Sequence, residues 1–233
     1  MTTFDPALLE QLRQFDTPTI CNGLEEVAGR RTASGFTTEP LVAADPALPS
    51  IVGYARTATI RAVAPSAQPA EAQRDLRLAY YEYVASAPGP TVAVIQDLDP
   101  RPGIGAFWGE VQSNVHKALG LAGALTDGSF RDLEALAPGF QILGGKIGPS
   151  HAHVHLEAID VDVNIFGMTV RPGDLIHGDH HGAVVISAEA APRLLEAIDT
   201  LTRREAVILE ACKQPDFTFE TLRQALADSA EIH

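Results

Sequence analysis

The chain has 233 residues, enough for one domain to bury most of its apolar surface without cross-links. Its formal net charge of -13 argues against a general nucleic-acid partner, because phosphate binding needs a basic surface. Two cysteines are too few for a disulfide framework and suit a reducing compartment, and no apolar run of about 18 residues is present to span a membrane. The first residues carry neither the basic nor the apolar part of a signal peptide, so the expected location is cytoplasmic.

In chain order, residues 5–15 predict a helix, with Leu8, Leu9, Leu12 and Phe15 at helical spacing. Thr17 and Pro18 start a second helix as cap and first helical residue, and Cys21 and Asn22 fall on it. Residues 30–50 read as loop. A strand is expected over residues 51–63 and a helix over 72–85, whose Tyr80, Tyr81 and Tyr83 read as packing groups. Residues 91–95 are a buried strand, and a Pro/Gly/Asp-rich loop follows to Gly105.

The stretch 105–134 is the most informative. Glu110 follows Gly109 at the start of a helical run to Leu119, and Gly120 and Gly123 bracket its end, where glycine most easily takes a left-handed cap. Leu121–Thr126 reads as a buried strand and Asp127-Gly128 as a turn. Arg131 and Asp132 are thereby delivered by a tight loop at a strand end, where a rigid scaffold commonly holds functional side chains. The plainer alternative is a structural Arg-Asp ion pair and a glutamate placed by the helix dipole.

Residues 140–143 predict a strand. His151-Ala152-His153-Val154-His155 alternates, which puts three imidazoles on one face if the segment is extended. Short strands follow around Val161, Val163, Ile165 and residues 168–170, then a turn at Arg171-Pro172-Gly173-Asp174. Residues 175–186 form a strand, a histidine-rich turn through Asp179, His180 and His181, and another strand. Ser187 caps a long helix to Cys212, and a last helix covers 218–228. Strands mixed with helices, with no repeat or linker, indicate one α/β domain over residues 1–233 with helical segments at both ends.

The set Gly109-Glu110, Gly120 and Gly123, Asp127-Gly128 and Arg131-Asp132 resembles the RraA-like family, which includes metal-dependent 4-hydroxy-4-methyl-2-oxoglutarate/4-carboxy-4-hydroxy-2-oxoadipate aldolases. Weaker matches at Thr17-Pro18-Thr19-Ile20, at residues 53–57, at Arg171-Pro172-Gly173-Asp174 and at residues 182–186 extend the likeness over most of the chain. The resemblance implies a layered β/β/α swivelling-type fold in trimers or hexamers. It also implies a lyase that cleaves a small anionic 2-keto acid by retro-aldol chemistry, or decarboxylates it, through a pyruvate enolate on a divalent metal. Mg²⁺ or Mn²⁺ suits hard oxygen donors. Asp132 is then the candidate metal ligand, Glu110 holds metal-bound water, and Arg131 sets positive charge near the reacting oxygen. Backbone N–H groups of Val111 and Gln112 take the substrate carboxylate at the helix N-terminus. The same family includes regulators that bind a ribonuclease without catalysis, and that reading stays open.

Where the family usually carries Asp-x-Asp-Gly, this chain has Asp179-His180-His181-Gly182, and His151, His153 and His155 replace a segment without histidines. Imidazoles suit Zn²⁺ or Fe²⁺ as well as Mn²⁺, and also shuttle protons near neutral pH. The two clusters form a possible additional site, or the centre of a metalloenzyme of another class. No glycine-rich nucleotide loop supports a methyltransferase.

Overall fold

The computed structural model describes residues 2–232. These fall into two compact units: residues 2–17 with Ala33–Ser187, and Pro18–Thr32 with residues 188–232. No described helix is long and apolar enough to cross a membrane.

The elements run α1 (Pro6–Leu12), α2 (Thr17–Ala28), β1 (Val42–Ala43), β2 (Ile51–Arg61), α3 (Ala70–Ala85), β3 (Thr91–Asp97), β4 (Ala106–Trp108), α4 (Glu110–Ala118), β5 (Leu121–Thr126) and β6 (Ser129–Phe130). They continue with β7 (Gln141–Gly144), β8 (Lys146–Ile147), β9 (His155–Ile159), β10 (Val163–Ile165), β11 (Met168–Val170), β12 (Leu175–Asp179), β13 (Gly182–Ile186), α5 (Leu194–Cys212) and α6 (Phe219–Ala230). The fold is the expected mixed α/β class.

The main sheet has the order β1-β7-β5-β3-β2-β12-β13, with β9 also on β2. Its centre, β2-β3-β5-β7, is parallel, and β1, β9 and β12 join it antiparallel. A small parallel sheet, β4-β6-β8, and a hairpin, β10-β11, lie beside it. Alternation along the strands divides the core between the two faces of the sheet. Ala93 and Ile95 of β3 join Tyr80, Trp108, Phe130 and Ile142 on one face. Val92 and Val94 join Leu125, Leu143, Ile165 and Met168 on the other. Covered on both sides, these strands read as continuous apolar runs, as parallel strands do.

The structure corrects four local expectations. The long C-terminal helix begins at Leu194, after a 3-10 turn at Ala191–Arg193, and has no side-chain cap, so Ser187 does not start it. Gly120 takes a positive φ of 90°, but Gly123 lies inside β5. It is glycine because a Cβ there would meet Ile51 at 2.7 Å and the Gln141 carbonyl at 2.8 Å. The three-residue strand β4 stands where loop and helix start are expected. The alternating His151–His155 segment is a turn up to Val154, and only His155 begins a strand.

The helical unit is pinned by Arg204, whose guanidinium reaches the Glu26 carboxylate at 2.8 Å and the Ile232 carbonyl at 2.9 Å. Thr218 caps α6 through a reciprocal box with Thr221.

Candidate active site

The turn after β6 presents Arg131 and Asp132 together. The Arg131 N–H donates to the Trp108 carbonyl at 3.0 Å, which ties the turn to β4. Asp132 takes a left-handed backbone, φ 57° and ψ 44°, a region that aspartate tolerates better than most residues. The conformation turns its carboxylate back onto the start of α4, where Oδ2 accepts the Glu110 N–H at 3.2 Å. Oδ2 also faces Arg131 Nε at 3.6 Å. Oδ1 has no partner among the described residues. A side chain at position 109 would force the Asp132 carboxylate to move, since a Cβ there would lie 2.6 Å from Asp132 Oδ2 and 3.2 Å from Arg131 Cγ.

Helix α4 brings the next groups. Glu110, Val111 and Gln112 form its first turn, whose N–H groups have no acceptor within the helix. A buried network holds that turn in place. Tyr81 donates to Gln112 Oε1 at 3.0 Å. The Gln112 carbonyl accepts from His116 Nδ1 at 2.7 Å, so Nδ1 carries the proton and Nε2 accepts from the Tyr80 hydroxyl at 2.7 Å. Burial pushes His116 down to about 4 and Tyr80 well above its ordinary range, so both stay neutral at pH 7. Trp108 packs edge-on to His116, 4.6 Å between ring centroids.

The first turn of α4 and the Arg131-Asp132 pair line one cavity of about 320 Å³, the lower end of the range for small-ligand sites. Glu110, Val111, Gln112, Arg131 and Asp132 form one side, the same set that the sequence motif groups. Arg77, Tyr80 and Tyr81 enter from α3, and His151 and His155 from the segment before β9. Arg77 carries no sequence signal of this role, and neither do the two tyrosines: α3 reads as an ordinary packed helix until its partners are known.

The histidines separate into different settings. His153 does not line the cavity. His155 does, but both its ring nitrogens face acceptors, the His153 carbonyl at 2.7 Å and Glu157 Oε1 at 2.9 Å. His151 Nδ1 lies 2.7 Å from the Ala152 carbonyl, and its Nε2 has no partner among the described residues. Asp179, His180 and His181 cluster elsewhere, at the β12–β13 turn, with donor atoms within 4.8 Å of one another. The Asp179 oxygens are already engaged, Oδ2 by the Thr17 N–H at 3.0 Å and Oδ1 by the His181 N–H at 2.8 Å. Burial acts to raise that carboxyl, and these hydrogen bonds outweigh it and hold it below the usual value. Asp179 therefore fastens the hairpin to Thr17, and the cluster is not part of the cavity beside Arg131.

Asp127, from the motif's turn dipeptide, and Asp97, outside every motif, are both buried carboxylates. Asp127 Oδ1 accepts the Asp97 N–H at 2.7 Å at the C-terminal ends of β3 and β5. Burial pushes Asp127 up to about 7 and raises Asp97 too.

The donor set around Asp132 fits a hard divalent cation. It offers a half-exposed carboxylate with one free oxygen, a glutamate beside it, and room for water.

An α/β scaffold that gathers an Arg-Asp pair, a glutamate at a helix start and free first-turn amides around one cavity defines a protein of the aldolase/RraA class. Residues 17–185 match the RraA-like family, described as Aldolase/RraA, and the chain belongs to that family. The family includes both aldolases and ribonuclease inhibitors. An uncharacterized protein of Methanocaldococcus jannaschii is 36% identical over 107 residues, covering 45% of this chain and 51% of that protein, about half its length. A protein of Halalkalibacterium halodurans, provisionally named a 4-hydroxy-4-methyl-2-oxoglutarate aldolase, is 29% identical over 184 residues, 77% of this chain and 78% of its own. Among solved structures, Streptomyces coelicolor RraAS2, described as an unusual member of the RNase ES inhibitor RraA family, shares the fold with a TM-score of 0.67 at 24% identity. That match covers 92% of this chain and all of the other.

Proposed function

We propose that the protein is a divalent-metal-dependent lyase that cleaves a 4-hydroxy-2-keto acid by retro-aldol reaction, or decarboxylates a related 2-keto acid, with release of pyruvate. The observation that carries this reading is Asp132, held in a left-handed turn with one carboxylate oxygen free beside Arg131. The relative named as an aldolase supports it.

Asp132 would hold Mg²⁺ or Mn²⁺, with Glu110 orienting water around the ion. When bound, such an ion polarises the substrate's keto oxygen as a Lewis acid. The Val111 and Gln112 N–H groups, with the helix dipole behind them, receive the substrate carboxylate. The Arg131 guanidinium, whose Nη atoms make no hydrogen bond among the described residues, stabilises negative charge that develops on the keto oxygen. Tyr81 and His116 hold the amides in place, so that little reorganisation remains at the moment of reaction.

A ribonuclease inhibitor, the role named for the family of the Streptomyces relative, needs no free carboxylate facing a cavity, and this site favours the lyase. From the family resemblance we also propose a homotrimer or homohexamer, located in the cytoplasm. A monomeric mass by light scattering at micromolar concentration counts against that assembly. The reading itself is tested by a screen of 4-hydroxy-2-keto acids and oxaloacetate with Mg²⁺ and Mn²⁺, in which pyruvate is detected. Absence of pyruvate from every substrate with folded, metal-loaded protein would refute it.

A further inference from the structure

The lyase reading leaves one step without a residue, removal of the proton from the C4 hydroxyl. We infer that His151 takes that proton at Nε2. This inference rests on the lyase reading and adds a catalytic residue to it.

The geometry singles out His151 among the histidines. A carbonyl oxygen only accepts, so the 2.7 Å contact with Ala152 fixes the proton on Nδ1 of the neutral ring. The lone pair is then on Nε2, which no described residue occupies. A second group that sets the tautomer in this way is the usual support of a histidine base. His155 lines the same cavity, but both of its ring nitrogens are already engaged. His153 is outside the cavity.

The turn that carries His151 is fixed on several sides. The Ser150 carbonyl accepts the Ala106 N–H at 2.9 Å, and Ser150 Oγ accepts the Ala152 N–H at 3.0 Å. The Val154 N–H closes on the His151 carbonyl at 3.0 Å, and the His153 N–H on the Ala62 carbonyl at 3.1 Å. Ala152 takes a positive φ of 44°, which aims its carbonyl at the His151 ring. Gly105 lets the turn approach β4 closely, for a Cβ there would lie 2.5 Å from the His151 carbonyl. The charged and titratable groups that share the cavity with His151 are Arg77 and the two tyrosines of α3, Glu110 of α4, the Arg131-Asp132 pair, and His155. His151 is exposed, so its proton exchanges with solvent between turnovers.

The step balances. The hydroxyl proton passes to Nε2 and the O–H electron pair becomes the second bond of the new C4 carbonyl. The C3–C4 bond breaks, its electron pair becomes the C2–C3 double bond, and the C2–O π pair moves onto the keto oxygen to give pyruvate enolate. A proton from water adds to C3 as the C2 carbonyl re-forms to give pyruvate, and the proton on Nε2 passes to solvent.

Oxaloacetate decarboxylation proceeds through the same enolate but has no hydroxyl proton to remove. His151→Gln is therefore assayed on both reactions with metal-loaded enzyme. The expected result is a fall of roughly 10²- to 10⁴-fold in retro-aldol kcat/KM, the usual contribution of a general base. Decarboxylation should stay near the wild-type rate, and imidazole should partly restore cleavage to His151→Ala. Equal loss in both reactions would mean a structural role, and unchanged cleavage would remove His151 from the mechanism; either overturns the inference while the lyase reading stands. A wild type that performs neither reaction defeats the lyase reading, and the His151 step with it.

Discussion

On the proposed reading, Asp132 would carry the metal chemistry of the site in one side chain. Its left-handed backbone costs on the order of 1 kcal/mol and is kept because the turn, the Glu110 N–H and Arg131 all require it. Asp132→Asn preserves shape and most hydrogen bonds but removes the hard anionic oxygen. The expected result is an unchanged fold by circular dichroism, with cation binding lost in calorimetry. Arg131→Lys puts a point charge where a planar fork stood, and should lower kcat/KM by at least about 100-fold. Wild-type kinetics in either variant would remove that residue's role. Both residues are legible in sequence because the motif is local: a short strand, a turn dipeptide, then the pair. Arg77 and Tyr81 are not, because nothing in the pattern of α3 tells which residues its polar face meets. Asp127 shows in sequence as half of the motif's turn dipeptide, but the burial that perturbs it comes from strands far away in sequence.

At the scale of elements, the first turn of α4 decides the site. Its position depends on Gly109, whose extended φ of -172° any residue could adopt. What glycine provides there is room for the Asp132 carboxylate. Gly109→Ala should leave thermal stability nearly unchanged while its methyl group displaces the Asp132 carboxylate. A displacement of about 1 Å costs about 100-fold in rate, so the prediction is a large fall in kcat/KM with a nearly constant Tm. Constant activity would mean that Asp132 need not be where this structure puts it. The histidine segment teaches the converse. Alternation by itself would align His151, His153 and His155, but period two has that meaning only in extended backbone. Here the Val154 N–H closes a turn on His151, and Ala152 adopts a left-handed conformation. Of the three, only His151 both lines the cavity and keeps a ring nitrogen without a partner among the described residues. The three residues of β4 carry too little periodicity to be read at all.

For the molecule as a whole, the buried titrating groups oppose one another. Burial lowers His116 and His177 from the ordinary 6.5 to about 4. Between those values the unfolded chain binds protons that the folded chain does not, so stability present above pH 6.5 is lost as pH falls toward 4. Asp127 acts with the opposite sign, since burial raises it from 3.8 to about 7. In that window the folded chain holds a proton that the unfolded chain has released, and acidification stabilises the fold. Asp127→Asn keeps an acceptor for the Asp97 N–H and removes this opposing effect. The variant should lose stability more steeply than wild type from pH 6.5 to 4, read as the urea midpoint at each pH. Parallel curves would contradict the buried, near-neutral carboxyl. Most strands and the helical ends are readable as local patterns. The layered arrangement of sheets is legible only through the family resemblance, because pairing between distant strands leaves no local mark.

The central claim is that this site performs metal-dependent 2-keto acid cleavage. Its most direct test is pyruvate release from a 4-hydroxy-2-keto acid by protein stripped with EDTA, with metal removal verified by elemental analysis, then reloaded with Mg²⁺ or Mn²⁺. The account predicts no turnover in the stripped protein, recovery on reloading, and no recovery in Asp132→Asn. Full turnover without metal, or recovery in Asp132→Asn equal to wild type, would contradict it.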